Sequence, residues 1–242
     1  MTLCTWLCSP DRLAYNEHIP PNWYRVIWGK ALKGLTKKQI MNIRKYVALK
    51  TEAGCHTLID ALLLHVVSNI STSQATGAII LETHIPATLL EFAQTSYGGV
   101  VDYKIVLGET WAQKSIVQLP TFAFMDKEIV NALMCNIYEA KPEKSCAALP
   151  QAVMAAVVQA ERFGFKTFRG LVTTGEEWLF FVYNKYATRP GGTVHWLLPI
   201  RLEWDLSGLP LILGLLFDWI QNGREGKLRF CTSCQKPGDV EQ

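Results

Sequence analysis

The chain has 242 residues, 49% hydrophobic and 19% charged, which is enough apolar material to bury a substantial core and too much for extended disorder. Its 24 basic and 21 acidic residues leave a net charge of +3, too mild to identify a nucleic-acid binder by charge, so any basic surface has to be local. Seven cysteines, an odd number, and an N-terminus without the pattern of a signal peptide point to a reduced, intracellular protein of the nucleus or cytoplasm.

Residues 1–35, rich in Pro and Trp and without a sustained period, read as an irregular N-terminal extension. Cys4 and Cys8, with Cys231 and Cys234 at the far end, have the number of thiolates for a zinc site but only one CxxC pair, and read more simply as reduced cysteines. From Thr36 onward Ile40, Ile43, Tyr46 and Val47 recur at helical spacing, and Glu52–Ile70 continues the pattern, with Gly54 as a possible break between two helices. The apolar stretches 58–67 and 209–220 are interrupted by Asp, His, Pro or Gly and are short for a bilayer, so no membrane segment is expected.

A polar linker over 71–77 leads to a short strand over 78–83. Val- and Ile-rich 100–107, entered through Gly98-Gly99, predicts a second strand, and 132–140 a third. Between them, 108–127 is too long for a hairpin and reads as an excursion packed by Trp111, Phe122 and Phe124. Pro150 near a first turn, an Ala- and Val-rich stripe and Gly164 as a stop predict a helix over 150–163. Strands over 168–173 and 178–183 flank the hairpin signal Thr174-Gly175-Glu176, and 193–204 reads as another strand. Ser207 is placed to cap a last helix over Leu209–Gln221, whose apolar surface suits either its own sheet or a second subunit and so leaves a homo-oligomer open. A polar tail over 224–242 follows. This order implies one α/β domain over 36–223, a mixed sheet flanked by helices.

Charge in the apolar strands is the chemical signal. Residues two apart on a strand share a face, so Glu139 and Lys141 lie side by side at the end of an apolar run that needs a partner for them. Asp102 interrupts the neighbouring apolar strand in the same way. Carboxylates so placed suit Mg²⁺ or Mn²⁺, which take hard oxygen ligands and complete their shells with water and phosphate oxygens. Lys141 would then stand where it can orient a water or meet developing negative charge.

These residues resemble the PD-(D/E)XK nuclease superfamily, whose members draw an acidic residue from a helix, Asp from one strand, (D/E)xK from the next and often Gln from the following helix. Glu52 in Thr51-Glu52-Ala53, Asp102 in Gly99-Val100-Val101-Asp102-Tyr103, Glu139-Ala140-Lys141 and Gln151 in Leu149-Pro150-Gln151 match that order. The chain is also similar to fungal nuclease-like proteins with a Gly-x-x-Asp-Tyr strand, a Glu-Ala-Lys strand end, a Pro-Gln helix start and a Thr-x-Gly-x-x-Trp hairpin, here Thr173 to Trp178. The match spans 50–183, and no Pro precedes Asp102.

The resemblance implies a restriction-endonuclease-like fold, with Glu52, Asp102 and Glu139 as ligands of Mg²⁺ or Mn²⁺. It further implies catalytic roles for Asp102, Glu139, Lys141 and Gln151, and metal-dependent hydrolysis of DNA or RNA. A degenerate member that binds nucleic acid or a protein without cutting is the alternative. Two neighbours complete the reading. His56, one turn after Glu52, is expected to line the cleft or simply to be a satisfied histidine, and Lys104 to pair with Asp102 or contact phosphate. The aromatics Trp178, Phe180, Phe181 and Trp196 are expected in the core.

Overall fold

Thr51 opens the principal helix by accepting a hydrogen bond from the Gly54 amide, 3.1 Å away, which satisfies one of the amide donors that a helix start leaves free. In the computed structural model the described residues are 37–71, 75–90, 95–118, 134–140 and 145–223. The 1–35 extension, the 224–242 tail and the terminal cysteines lie outside them.

The first two helices are α1 (Lys37–Tyr46) and α2 (Glu52–Ile70). The break falls between them, at 47–51, and not at Gly54, which sits inside α2. A Cβ at Gly54 would stand 2.1 Å from the Ala48 carbonyl oxygen, so glycine there permits a close approach of two backbones. At 19 residues α2 has the length and hydropathy of a membrane-crossing helix, yet Cys55, Leu58, Ile59, Leu62, Leu63 and Val66 are fully buried in the fold.

Strands β1 (Ala75–Leu90) and β2 (Thr95–Glu109) form a long antiparallel ribbon, well beyond the expected 78–83 and 100–107. The alternation is weak there because much of the ribbon is exposed, and Pro86 and the glycines mask its extended conformation in the sequence. The ribbon is irregular along β1: Glu82 has a left-handed φ of 46° and the register shifts between Ile85 and Thr88. After β2 the first part of the expected 108–127 excursion forms helix α3 (Thr110–Gln118); Phe122 and Phe124 lie outside the described residues.

Strand β3 (Met134–Ala140) pairs antiparallel with β2 and parallel with β4 (Thr167–Thr173), the two parallel strands being joined through α4 (Ser145–Phe163). Pro150 lies inside α4 and not at its start, at the loss of one helical hydrogen bond. Strand β5 (Glu177–Lys185) follows the expected hairpin, then β6 (Gly192–Trp196) and the two-residue β7 (Ile200–Arg201), so 193–204 is two short strands. The last helix, α5 (Leu209–Gln221), has Gly208 as its N-cap, with no side-chain cap. Ser207 instead donates its amide to Asp205 Oδ1 at 2.9 Å.

The result is a mixed α/β architecture: a seven-stranded sheet in the order β1-β2-β3-β4-β5-β6, with β7 beside β5. Helices α2 and α5 bury one face against Tyr103, Ile105, Leu171, Trp178 and Phe180, while α4 covers the other against Val106, Phe168, Val172, Phe181 and Tyr183. Both faces of β4 and β5 are thus covered, which explains their unbroken apolar runs. Helix α5 buries its apolar residues against its own chain. Arg169 of β4 and Asp218 of α5 form a fully buried ion pair at 2.8 Å, with the guanidinium 4.9 Å from the Trp219 ring centre and the Trp219 Nε1 donating to the Gly170 carbonyl at 3.1 Å.

Candidate metal centre

Helix α2 places Glu52, His56 and Asp60 four residues apart, and therefore on one face. Opposite its N-terminal turn is the hairpin between β4 and β5. Gly175 there takes a φ of +82°, a conformation that suits glycine, and a Cβ on it would meet the Cys55 carbonyl oxygen at 3.3 Å. Thr173 Oγ1 accepts from the Gly175 amide at 2.9 Å, Thr174 Oγ1 from the Glu177 amide at 2.9 Å, and the buried Trp178 donates Nε1–H to the Gly175 carbonyl at 2.9 Å. The Thr-x-Gly-x-x-Trp signature is thus a self-bonded turn that seats the start of α2. Arg44 of α1 steadies the same region, donating to the Glu203 carbonyl at 2.7 Å and to the Leu202 carbonyl, and pairing with Glu176 at 3.3 Å.

Strand β2 brings Asp102 to this helix. The β2–β3 ladder ends at Tyr103 opposite Tyr138, and Asp102 is the next residue beyond it. There its Oδ2 accepts the Ala140 amide at 2.7 Å, so the carboxylate ties together two strands whose regular pairing has stopped. Glu139 is the corresponding next residue on β3; its side chain, and all of Lys141, lie outside the described residues.

Glu52, His56 and Asp102 each offer a ligand atom, and these atoms lie within 4.8 Å of one another. With carboxylate and imidazole bonds of about 2.0–2.2 Å, adjacent ligands on one ion stand roughly 3 Å apart and opposed ones about 4.0–4.4 Å, so side-chain rotation has to draw the group closer around an ion. Glu52 is exposed and the other two half-buried, which leaves the group accessible from solvent. The two carboxylates suit Mg²⁺ or Mn²⁺ in donor type, and the imidazole suits a transition ion.

Behind the cluster stands a hydrogen-bonded chain. The Tyr103 hydroxyl donates to Asp60 Oδ1 at 2.8 Å and lies 2.7 Å from His56 Nδ1, with the two rings stacked at 5.3 Å. Burial, and then the Asp60 carboxylate, push the Tyr103 phenol well above its usual range, so it remains a protonated donor.

Of the residues expected from sequence, Glu52 and Asp102 come together. Gln151 is exposed on α4 and with Met154 of the same helix lines a groove of about 380 Å³, opposite Tyr97, Val100 and Val101 of the strand that carries Asp102. Lys104 is only 2% exposed and its Nζ lies 5.2 Å from the Phe163 ring centre, so contact with a phosphate in solvent is ruled out by its burial. Trp178, Phe180 and Phe181 are core residues as expected, and Trp196 packs half-buried against the core. His56 is a member of the cluster, and Tyr103 and Asp60 support it. The four-residue spacing of 52, 56 and 60 carried that signal; the partnership with Tyr103 needed the fold. No family model matches this chain, and no curated protein matches it.

Proposed function

We propose that this chain is a divalent-metal-dependent phosphodiesterase of nucleic acids, with its centre at Glu52, His56, Asp102 and Glu139 in a restriction-endonuclease-like arrangement. The observation that carries the reading is the convergence of Glu52, His56 and Asp102 within 4.8 Å, at the point where β2 and β3 stop pairing. Two features of the sequence support it: Glu139 stands one residue beyond that point, and Lys141 follows two residues later.

A divalent ion bound there supplies Lewis-acid polarisation of a phosphate and a more acidic water. The protein's own contributions are separate. Asp102, fixed by the Ala140 amide, presents a carboxylate of set orientation without needing to reorganise. Lys141 supplies a cation to hold the attacking water and to offset charge that grows on the phosphate. Gln151, exposed on α4, is placed to contact substrate along the groove beside β2. The positions Glu52, Asp102, Glu139 and Lys141 all keep the residue types that chemistry needs, which favours turnover over a binding-only role.

The test is cleavage of single- and double-stranded DNA and RNA by purified protein, with Mn²⁺ or with chelator, comparing wild type with Lys141→Ala and Glu139→Gln. Metal-dependent cleavage lost in both variants, with metal binding kept in Lys141→Ala, is the expected outcome. Metal binding with no cleavage of any of the four substrates would replace this reading with a non-catalytic nucleic-acid or protein binder.

A further inference from the structure

We infer that His56 is a nitrogen ligand of the bound ion, held as its Nδ1–H tautomer by Tyr103 and Asp60, and that the site therefore selects a divalent transition metal over Mg²⁺. This rests on the proposed metal centre and specifies its metal.

The argument is a count of protons. Tyr103 has one hydroxyl hydrogen, and it is given to Asp60 Oδ1 at 2.8 Å. The 2.7 Å contact between the same oxygen and His56 Nδ1 then needs a hydrogen from the ring. Nδ1 is thereby the protonated nitrogen, and Nε2 keeps its lone pair. That is the pattern by which metal-binding histidines are oriented: one nitrogen donates to a supporting acceptor, and the other meets the ion. The reverse assignment, with Tyr103 donating to Nδ1, would leave the hydroxyl oxygen facing an Asp60 carboxylate with no proton between them.

Three other features hold the ring where this tautomer is useful. It stacks on Tyr103 at 5.3 Å, its backbone is in the turn seated by Gly175, and it shares one helical face with Glu52 and Asp60. Mg²⁺ dehydrates reluctantly and prefers oxygen, whereas first-row transition ions accept imidazole readily. A carboxylate site with one imidazole, already oriented, thus discriminates through its nitrogen. Tyr103 and Asp60 are positioning residues in this scheme and do not touch the ion.

The test is calorimetric titration of the full chain with Mn²⁺ alone and with Mg²⁺ alone, together with nitrogen hyperfine coupling in the electron-spin-echo spectrum of bound Mn²⁺. Wild type should bind Mn²⁺ at least about tenfold more tightly than Mg²⁺ and show the nitrogen coupling. His56→Ala should lose the coupling and most of the preference. Tyr103→Phe and Asp60→Asn, with circular dichroism as the check on folding, should weaken Mn²⁺ by roughly 10–100-fold while changing Mg²⁺ much less. Mn²⁺ that binds in an Asp102-dependent manner without nitrogen coupling overturns the role of His56 and leaves the proposed centre standing. Absence of Mn²⁺ binding to wild type, or binding unchanged by Asp102→Asn, overturns both.

Discussion

Removing the Asp218 carboxylate should cost more stability than any single change at the candidate site. Asp218 and Arg169 have fully buried side chains 2.8 Å apart, and Arg169 also donates to the Asp218 carbonyl at 3.2 Å. The Asn222 amide completes the shell of the carboxylate at 2.6 Å. In Asp218→Ala the guanidinium keeps its charge in an apolar setting beneath Trp219, and losing one partner of such a pair costs about 3–5 kcal/mol. For a domain of this size that corresponds to a fall in Tm of roughly 6–20 °C. Replacing both partners, as Arg169→Met with Asp218→Leu, removes the unpaired charge together with the pair, and should recover to within about 2 kcal/mol of wild type. Urea denaturation of wild type, Arg169→Met, Asp218→Leu and the double variant, read as a double-mutant cycle with the slope checked for constancy and with Asp218→Ala alongside, measures this. If Asp218→Ala stayed within about 1 kcal/mol of wild type, the pair would not be desolvated as described and the reasoning would fail.

Four smaller expectations follow from other sites. Mn²⁺ should raise the melting temperature of wild type but not of Asp102→Asn, since an ion that binds only the folded state stabilises it in proportion to the logarithm of its excess over Kd; scanning calorimetry reads this directly. Gly175→Ala, forced to a φ of +82°, should lose about 1–2 kcal/mol by denaturant titration, and no loss would mean that the turn relaxes freely. Burial lowers the pKa of His65, whose Nε2 has no hydrogen-bond partner among the described residues, so the fold holds its neutral form; stability is full above the ordinary value of 6.5 and declines as pH falls below it, and His65→Leu should flatten that acid limb in urea titrations at a series of pH values. Lys185→Ala breaks the partly exposed pair with Glu161 and should cost less than about 1 kcal/mol, a larger loss arguing for burial that the pair lacks.

The sequence was most legible where one periodicity dominated. The extent of α2 and α5, the β4–β5 hairpin and the apolar β3 followed from spacing and turn residues, because buried elements write their pattern in hydrophobic side chains. The ribbon of β1 and β2 was read at less than its length, since its exposed outer half keeps polar residues, glycines and Pro86 that carry no alternation. For the site, Asp102 stood out as a charge amid Val and Ile, and Glu52 through its place in an ordered set. His56 was legible as a neighbour of Glu52 by its helical spacing, but its partnership with Tyr103, 47 positions away, was not, because pairing over that distance is set by packing. Arg169 and Asp218 were invisible for the same reason at 49 positions.

Strand β1 bounds one side of the sheet, and its long outer backbone would be an obvious template for a foreign strand. The exposed Leu81 and Leu89 add apolar surface to that invitation. Yet Glu82 turns the backbone out of the extended region, Pro86 removes a donor, and the slipped register after Ile85 bends the remainder. A straight incoming chain can therefore match only short lengths of this edge before its hydrogen bonds fall out of step. What looks like irregular construction in the outer ribbon is, for a protein with so much β-structure on show, protection against growing into an aggregate.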